Sequence, residues 1–272
     1  MDTFRTDGLS FDLRDAGPPD GTPVVLLHGF PQDSSCWDAV APALHVAGLR
    51  TLAPDQRGYS PGARPQQVGA YRLRRCVDDI VALLDAAGLD KAHVVGHDWG
   101  GAVAWGMGGW YPDRTTSLTV VSTPHPSAMT QALRSPQQLS RSWYMGAFQL
   151  PVVPELALRQ LSGVMLRRTG LPAALADRYS KRLREPGAAT GMLNWYRVLP
   201  RSLRDAVPAS TVPTTYLWGR EDFALGPKAA HLTAQHVSGP YTFVDVEGGH
   251  WLPELQPSSV ADAVLAQVRT TA

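Results

Sequence analysis

Short apolar runs alternate with amphipathic stretches through the first half of the chain. PVVLLHGF (23–30) is a continuous apolar run closed by a turn, the pattern of a strand buried on both faces. LRTLAPDQRG (49–58), AHVVGHD (92–98) and SLTVVSTP (117–124) repeat that pattern. Between these runs, SCWDAVAPALHVAG (35–48) and YRLRRCVDDIVALLDAAG (71–88) set apolar residues at helical spacing and end on Gly, a common helix stop. LSFDLRD (9–15) alternates weakly and predicts an early strand. Strands alternating with helices predict an α/β fold, a mostly parallel sheet flanked by helices.

The alternation stops after HPSA (125–128). Residues 129–208 carry helical segments and prolines but no strand pattern. Strand signals return at TTYLWG (214–219) and YTFVDVEG (241–248), and SVADAVLAQVRT (259–270) reads as a closing helix. The expected organisation is an α/β core made of residues 1–128 and 209–272, split by a helical insertion over 129–208.

Composition narrows this picture. Hydrophobic residues make up 44% and charged residues 18% of the 272, as in an ordinary globular chain. A net charge of +1 gives no general attraction to nucleic acid, and none is expected as a partner. The charge is unevenly spread: residues 126–208 hold 12 Lys/Arg against 4 Asp/Glu, and the remainder is net acidic. Two surfaces attracting each other across a domain interface explain this, and a homodimer could use them as readily as a monomer. Cys36 and Cys76 form no CxxC pair and read as free buried thiols, which fits a reducing, cytoplasmic setting. No apolar leader opens the chain, and no run approaches the roughly 20 residues needed to span a bilayer, so no membrane partner is expected.

Four turns carry the chemistry. Gly96-His97-Asp98-Trp99-Gly100 has the spacing of a nucleophile elbow, a strand-to-helix corner that exposes one side chain, here a carboxylate. His28-Gly29-Phe30-Pro31 ends the first core strand, where a second backbone N–H donor is expected; His28 itself reads as a hydrogen-bonded structural residue. Asp222 follows the strand end Leu217-Trp218-Gly219, and His250 is framed by Gly248-Gly249 and Trp251. The order Asp98, Asp222, His250 is that of nucleophile, acid and base. His93 and His97 flank a strand and cannot face one metal. No HExxH, phosphate loop or dinucleotide fingerprint occurs, so neither a metal nor a cofactor is expected.

With HGFP, GHDWG, the Asp222 loop and GGHW in place, the sequence resembles the α/β-hydrolase superfamily and, within it, the epoxide hydrolases, over nearly its whole length. It departs in Asp55-Gln56-Arg57-Gly58-Tyr59-Ser60-Pro61-Gly62, where Ser60-Pro61 intervenes before the glycine. Asp55 and Arg57 read as a local structural ion pair. The resemblance makes the helical insertion a cap. It implies that Tyr144, in WYMGAFQ, and Tyr196, in NWYR, supply acid to an opening ring. Tyr179, in DRYSKRL, reads as a surface helix residue, Asp78-Asp79 as a solvated helix face, and Arg167-Arg168 as cap surface.

A carboxylate attacks without first losing a proton, and an ester on Asp98 is hydrolysable where a serine ether is not. Asp98 therefore points to an electrophilic saturated carbon. His250 would activate water against that ester, oriented by Asp222, and the N–H groups of Phe30 and Trp99 would form the oxyanion hole. The expected substrates are a small-molecule epoxide and water, with Trp37, Trp143, Trp195 and Trp251 as candidate pocket walls. Haloalkane or haloacid dehalogenation is the alternative, and Trp99 follows the nucleophile as a halide-binding Trp does in haloalkane dehalogenases. Phe30 stands where haloalkane dehalogenases often carry an amide, and Trp143-Tyr144 where fluoroacetate dehalogenases present a His-Trp pair; both differences favour ring opening. A non-catalytic ligand-binding hydrolase fold is a second alternative.

Overall fold

A computed structural model describes residues 1–202 and 205–271. Eight strands form one sheet: β1 (Thr3–Thr6), β2 (Leu9–Ala16), β3 (Thr22–Leu27), β4 (Leu49–Pro54), β5 (Ala92–His97), β6 (Thr115–Val121), β7 (Thr214–Gly219) and β8 (Tyr241–Val246). Their order is β1-β2-β4-β3-β5-β6-β7-β8. From β4 through β8 every pairing is parallel; β1 and β2 add antiparallel strands at one edge. β1 is a short edge strand with no apolar alternation legible in the sequence.

The two-residue period of the central strands separates the core into two layers. Val25 and Leu27 of β3 and Val94 of β5 pack with Val77, Ile80 and Trp105 from helices Leu73–Ala86 and Trp99–Trp110. Their neighbours Val24, Leu26 and Val95 pack on the opposite face with Leu44, Val260 and Val264, from helices Ala41–Val46 and Pro257–Arg269. The helix expected over 35–48 is broken into a 3-10 turn, Ser34–Trp37, and the α-helix Ala41–Val46. Pro42 has no N–H to continue a helix through it, but fits the first turn of a new one.

Between β6 and β7 the described residues form helices and no strand: Pro126–Ala132, Pro136–Arg141, Trp143–Ala147, Val153–Arg168, Ala173–Leu183, Ala188–Arg197 and Leu199–Ser202. Polar contacts join this segment to the sheet. Arg182 pairs with Asp55, Arg178 with Asp38 at 3.2 Å, and Glu185 with Arg64 at 2.6 Å. Trp195 Nε1 donates to the Arg57 carbonyl at 2.7 Å.

These contacts correct three expectations. Asp55 and Arg57 are not a local pair. Asp55 accepts from the Ser34 N–H and pairs with Arg182, whereas Arg57 reaches into the core to a bidentate pair with Asp79 at 2.7 and 2.8 Å. Asp79 is therefore buried, while Asp78, one position before it, is exposed to solvent and meets Tyr111 and Arg74. Tyr179 is buried too, because its helix turns that face onto the sheet's second apolar layer, and its hydroxyl donates to Glu254. Both cysteines are buried and free, and Arg167 and Arg168 are exposed, as the sequence predicts.

Candidate active site

Asp98 stands at the corner between β5 and helix Trp99–Trp110 with φ +50° and ψ −120°, a conformation disfavoured for any residue with a side chain. The corner closes because Gly100 lies under β3: a Cβ there would clash with the Leu27 carbonyl oxygen. Gly29 plays the same part opposite, since a Cβ on it would clash with Asp98 Cβ. Two glycines thus let the end of β3 approach the carboxylate closely enough for a backbone amide to reach it.

That amide is Phe30 N–H, which donates to Asp98 Oδ1 at 2.7 Å. The other carboxylate oxygen, Oδ2, faces His250 Nε2 at 3.6 Å. His250 Nδ1 lies 2.8 Å from Asp222 Oδ2, and the second oxygen of Asp222 accepts from the N–H groups of Ala224 and Leu225 at 2.8 and 2.9 Å. Asp222 is thus fixed by its own loop and aimed at the ring. Asp98, Asp222 and His250 come together as the sequence predicts.

Electrostatics follow from this geometry. Burial raises the Asp98 carboxyl above its ordinary range, while His250 and the N–H groups of Phe30 and Trp99 oppose that rise. Burial also disfavours the charged form of His250, but Asp222 and then Asp98 outweigh it and push the imidazole up to about 9.

Two further side chains reach the site from the helical segment. The Tyr196 ring lies 5.1 Å from Trp99 and 5.3 Å from Phe30, so it sits between the residues on either side of the carboxylate. Tyr144 lies 5.9 Å from Tyr196, with Phe148 against both at 5.6 and 5.0 Å. Burial and the nearby charge of Asp98 raise both phenols well above their usual range, with Asp222 adding to the rise at Tyr144 and Tyr144 to that at Tyr196.

The four tryptophans separate. Trp195 backs Trp99 at 5.4 Å, and Trp251 backs His250 at 5.0 Å while donating to Thr169 Oγ1. Trp37 is buried in the other apolar layer with Val40 and Leu44, and Trp143 is 69% exposed. Trp37 and Trp143 are therefore not in this aromatic cluster: Trp37 faces the core beneath the sheet, and Trp143 is turned out to solvent while its neighbour Tyr144 faces inward. Phe148 and Phe223 also belong to the site, although the sequence assigns neither a role. Phe223 holds its ring 5.3 Å from His250 and is 41% exposed, at the open side of the site. The spacing of Phe148, one turn after Tyr144 on the same face, was the signal available for it.

His28 keeps a structural place: its Nε2 accepts from Gln56 N–H and its Nδ1 donates to the Gly29 carbonyl, each at 3.0 Å. Among the described residues, no group of three or more His, Cys, Asp or Glu side chains is arranged to hold a metal ion. No helix among them is long and apolar enough to cross a membrane.

A family model described as the alpha/beta hydrolase fold matches residues 22–257. The chain is 38% identical to AB hydrolase superfamily protein YfhM of Bacillus subtilis, over 97% of this chain and 96% of that one. It is 32% identical to epoxide hydrolase A of Mycobacterium tuberculosis, over 96% and 94% of the two chains. The crystal structure of epoxide hydrolase A from Mycobacterium thermoresistibile matches with a TM-score of 0.87 at 29% identity, covering 99% of this chain and 98% of that one.

Proposed function

The chain belongs to the α/β-hydrolase superfamily and, within it, to the epoxide hydrolase family, and from that premise we propose that it converts an epoxide and water to a vicinal diol through an ester on Asp98. The observation that carries this reading is the split environment of the Asp98 carboxylate: Oδ1 is held by the Phe30 N–H, and Oδ2 is left to face His250 and the reacting space.

Oδ2 attacks the less hindered or better stabilised ring carbon, the C–O bond breaks, and the ring oxygen takes a proton from Tyr144 or Tyr196. The helical segment acts as a cap that brings these phenols over the carboxylate. Because burial holds both phenols protonated, they are donors throughout the neutral range. Alkylation then removes the negative charge of Asp98, one of the groups that raises His250. The imidazole's pKa falls, and the ring becomes a base for water at the moment water is needed. Attack at Cγ puts negative charge on Oδ1, already against the Phe30 N–H, with the Trp99 N–H as second donor. Collapse of that intermediate releases the diol and restores the carboxylate, and the tyrosine regains its proton from water.

Phenols able to protonate the leaving oxygen favour ring opening over dehalogenation, because an epoxide oxygen leaves as a strongly basic alkoxide, whereas a halide needs only N–H donors such as the Trp99 indole. The aromatic cluster of Phe30, Phe148, Tyr196 and Trp99 suits aryl or bulky apolar epoxides. The test is to offer aryl epoxides and matched haloalkanes to the wild-type protein. Diol formation without halide release is expected; halide release without diol would overturn the reading.

A further inference from the structure

Behind the catalytic histidine lies a chain of polar side chains that the reaction does not use. Tyr179 OH, from the helical segment, donates to Glu254 Oε1 at 2.9 Å. Gln32 Nε2 donates to the same oxygen at 2.6 Å. Gln32 Oε1 accepts from the Gly29 N–H at 3.0 Å and lies 2.8 Å from His97 Nδ1. His97 Nε2 lies 2.8 Å from the His250 carbonyl oxygen, which Ser122 Oγ also approaches at 3.2 Å. Gln32, His97 and Tyr179 are fully buried.

The proton inventory of His97 is constrained. Both atoms facing its ring nitrogens are oxygens that can only accept. The Gly29 N–H fixes which end of the Gln32 amide faces the ring. A neutral imidazole has one N–H and one lone pair, so either tautomer would set a lone pair against an oxygen at 2.8 Å. His28, nearby, shows the contrast: one ring nitrogen faces a donor and the other an acceptor, and one proton satisfies it. Glu254 is the matching acceptor at the other end, with Oε2 buried and without a protein partner among the described residues.

We infer that Glu254, Gln32 and His97 form a positioning relay for His250, with His97 held as an imidazolium and Glu254 as its counter-carboxylate. Burial, together with the neighbouring His250 and His28, pushes His97 downward, and burial pushes Glu254 upward. Against this stands the unpaired contact that neutralisation would create, a ring lone pair set against an oxygen, which is costly in a buried place. The relay pins the His250 backbone from below while Asp222 pins its ring, and through Tyr179 it ties that anchor to the seating of the helical segment. Its consequence for turnover rests on the reaction proposed above; its protonation pattern does not.

The test is nitrogen NMR on wild-type protein labelled in its histidine rings, with His97 assigned by its loss in His97→Asn. Both His97 nitrogens should carry protons at neutral pH; one bare nitrogen would overturn the inference without any variant or turnover assay. In Glu254→Gln, His97 should lose its second proton, and ester hydrolysis should slow roughly tenfold while alkylation holds. Adding Gln32→Glu to that variant should restore the second proton, since the carboxylate then faces His97 directly. A second proton that persists in Glu254→Gln alone would remove Glu254 as the counter-charge. If the protein opened no epoxide, the nitrogen spectra would still decide the relay.

Discussion

At the scale of single residues, the proposed reaction depends on when each group carries its charge. His250 is pushed up to about 9 in the free protein, against burial, by Asp222 and Asp98. A raised base is charged, and idle, below its pKa. Once Asp98 is esterified, one of the carboxylates that raise it is gone and the pKa drops. Ester hydrolysis should therefore accelerate with rising pH and level off below pH 9, a profile read by rapid-quench kinetics; a flat profile across the neutral range would count against His250 as base. Alkylation has the same direction of dependence but on a different group: it is lost at low pH as Asp98, itself raised by burial, takes up a proton. Either Tyr144→Phe or Tyr196→Phe should slow alkylation by about 10- to 100-fold, and the double variant by more, with ester hydrolysis nearly unchanged. Loss in hydrolysis alone would assign the phenols another role. Asp98, Asp222 and His250 were legible in sequence because each sits in a turn with its own local signature. Tyr179, Asp79 and Glu254 were not, because burial of a polar side chain depends on what folds over it, and a polar stretch reads the same whether covered or open.

At the scale of elements, the site depends on how closely β3 and the elbow after β5 approach. Gly29→Ala would put a methyl carbon into the space held by Asp98 Cβ. The elbow is held by Gly100 against Leu27 and cannot retreat freely. Turnover should fall by roughly a hundredfold, as for an ångström's misplacement of a reacting group, while the circular dichroism spectrum stays native. Full activity in the Gly29→Ala variant would show that the carboxylate does not need this contact. The central strands and long amphipathic helices were legible because their periods run for whole elements. The 35–48 helix failed at Pro42, and β1 was missed because Thr3–Thr6 is a short edge strand with only Phe4 buried.

At the scale of the molecule, opposite charges on the helical segment and on the rest of the chain meet in named pairs, Arg182 with Asp55 and Arg178 with Asp38. The sequence showed this imbalance as a property of two halves; it could not show which arginines would be used. A buried pair, Arg57 with Asp79, lies under the turn that receives Trp195. Asp79→Ala would leave Arg57 charged and buried, although Asp7 lies 3.6 Å from it. Global stability should fall by about 3–5 kcal/mol in denaturant titration; a midpoint near that of the wild type would mean that Asp7 or water replaces the lost partner. The proposed reaction passes through a covalent ester, and its most direct test is the intact mass of His250→Gln after exposure to aryl epoxides and haloalkanes of distinct masses. An adduct equal to one whole epoxide, mapped to the peptide containing Asp98, is the expected result. An adduct equal to a haloalkane less its hydrogen halide, or an epoxide adduct on any other residue, would contradict it.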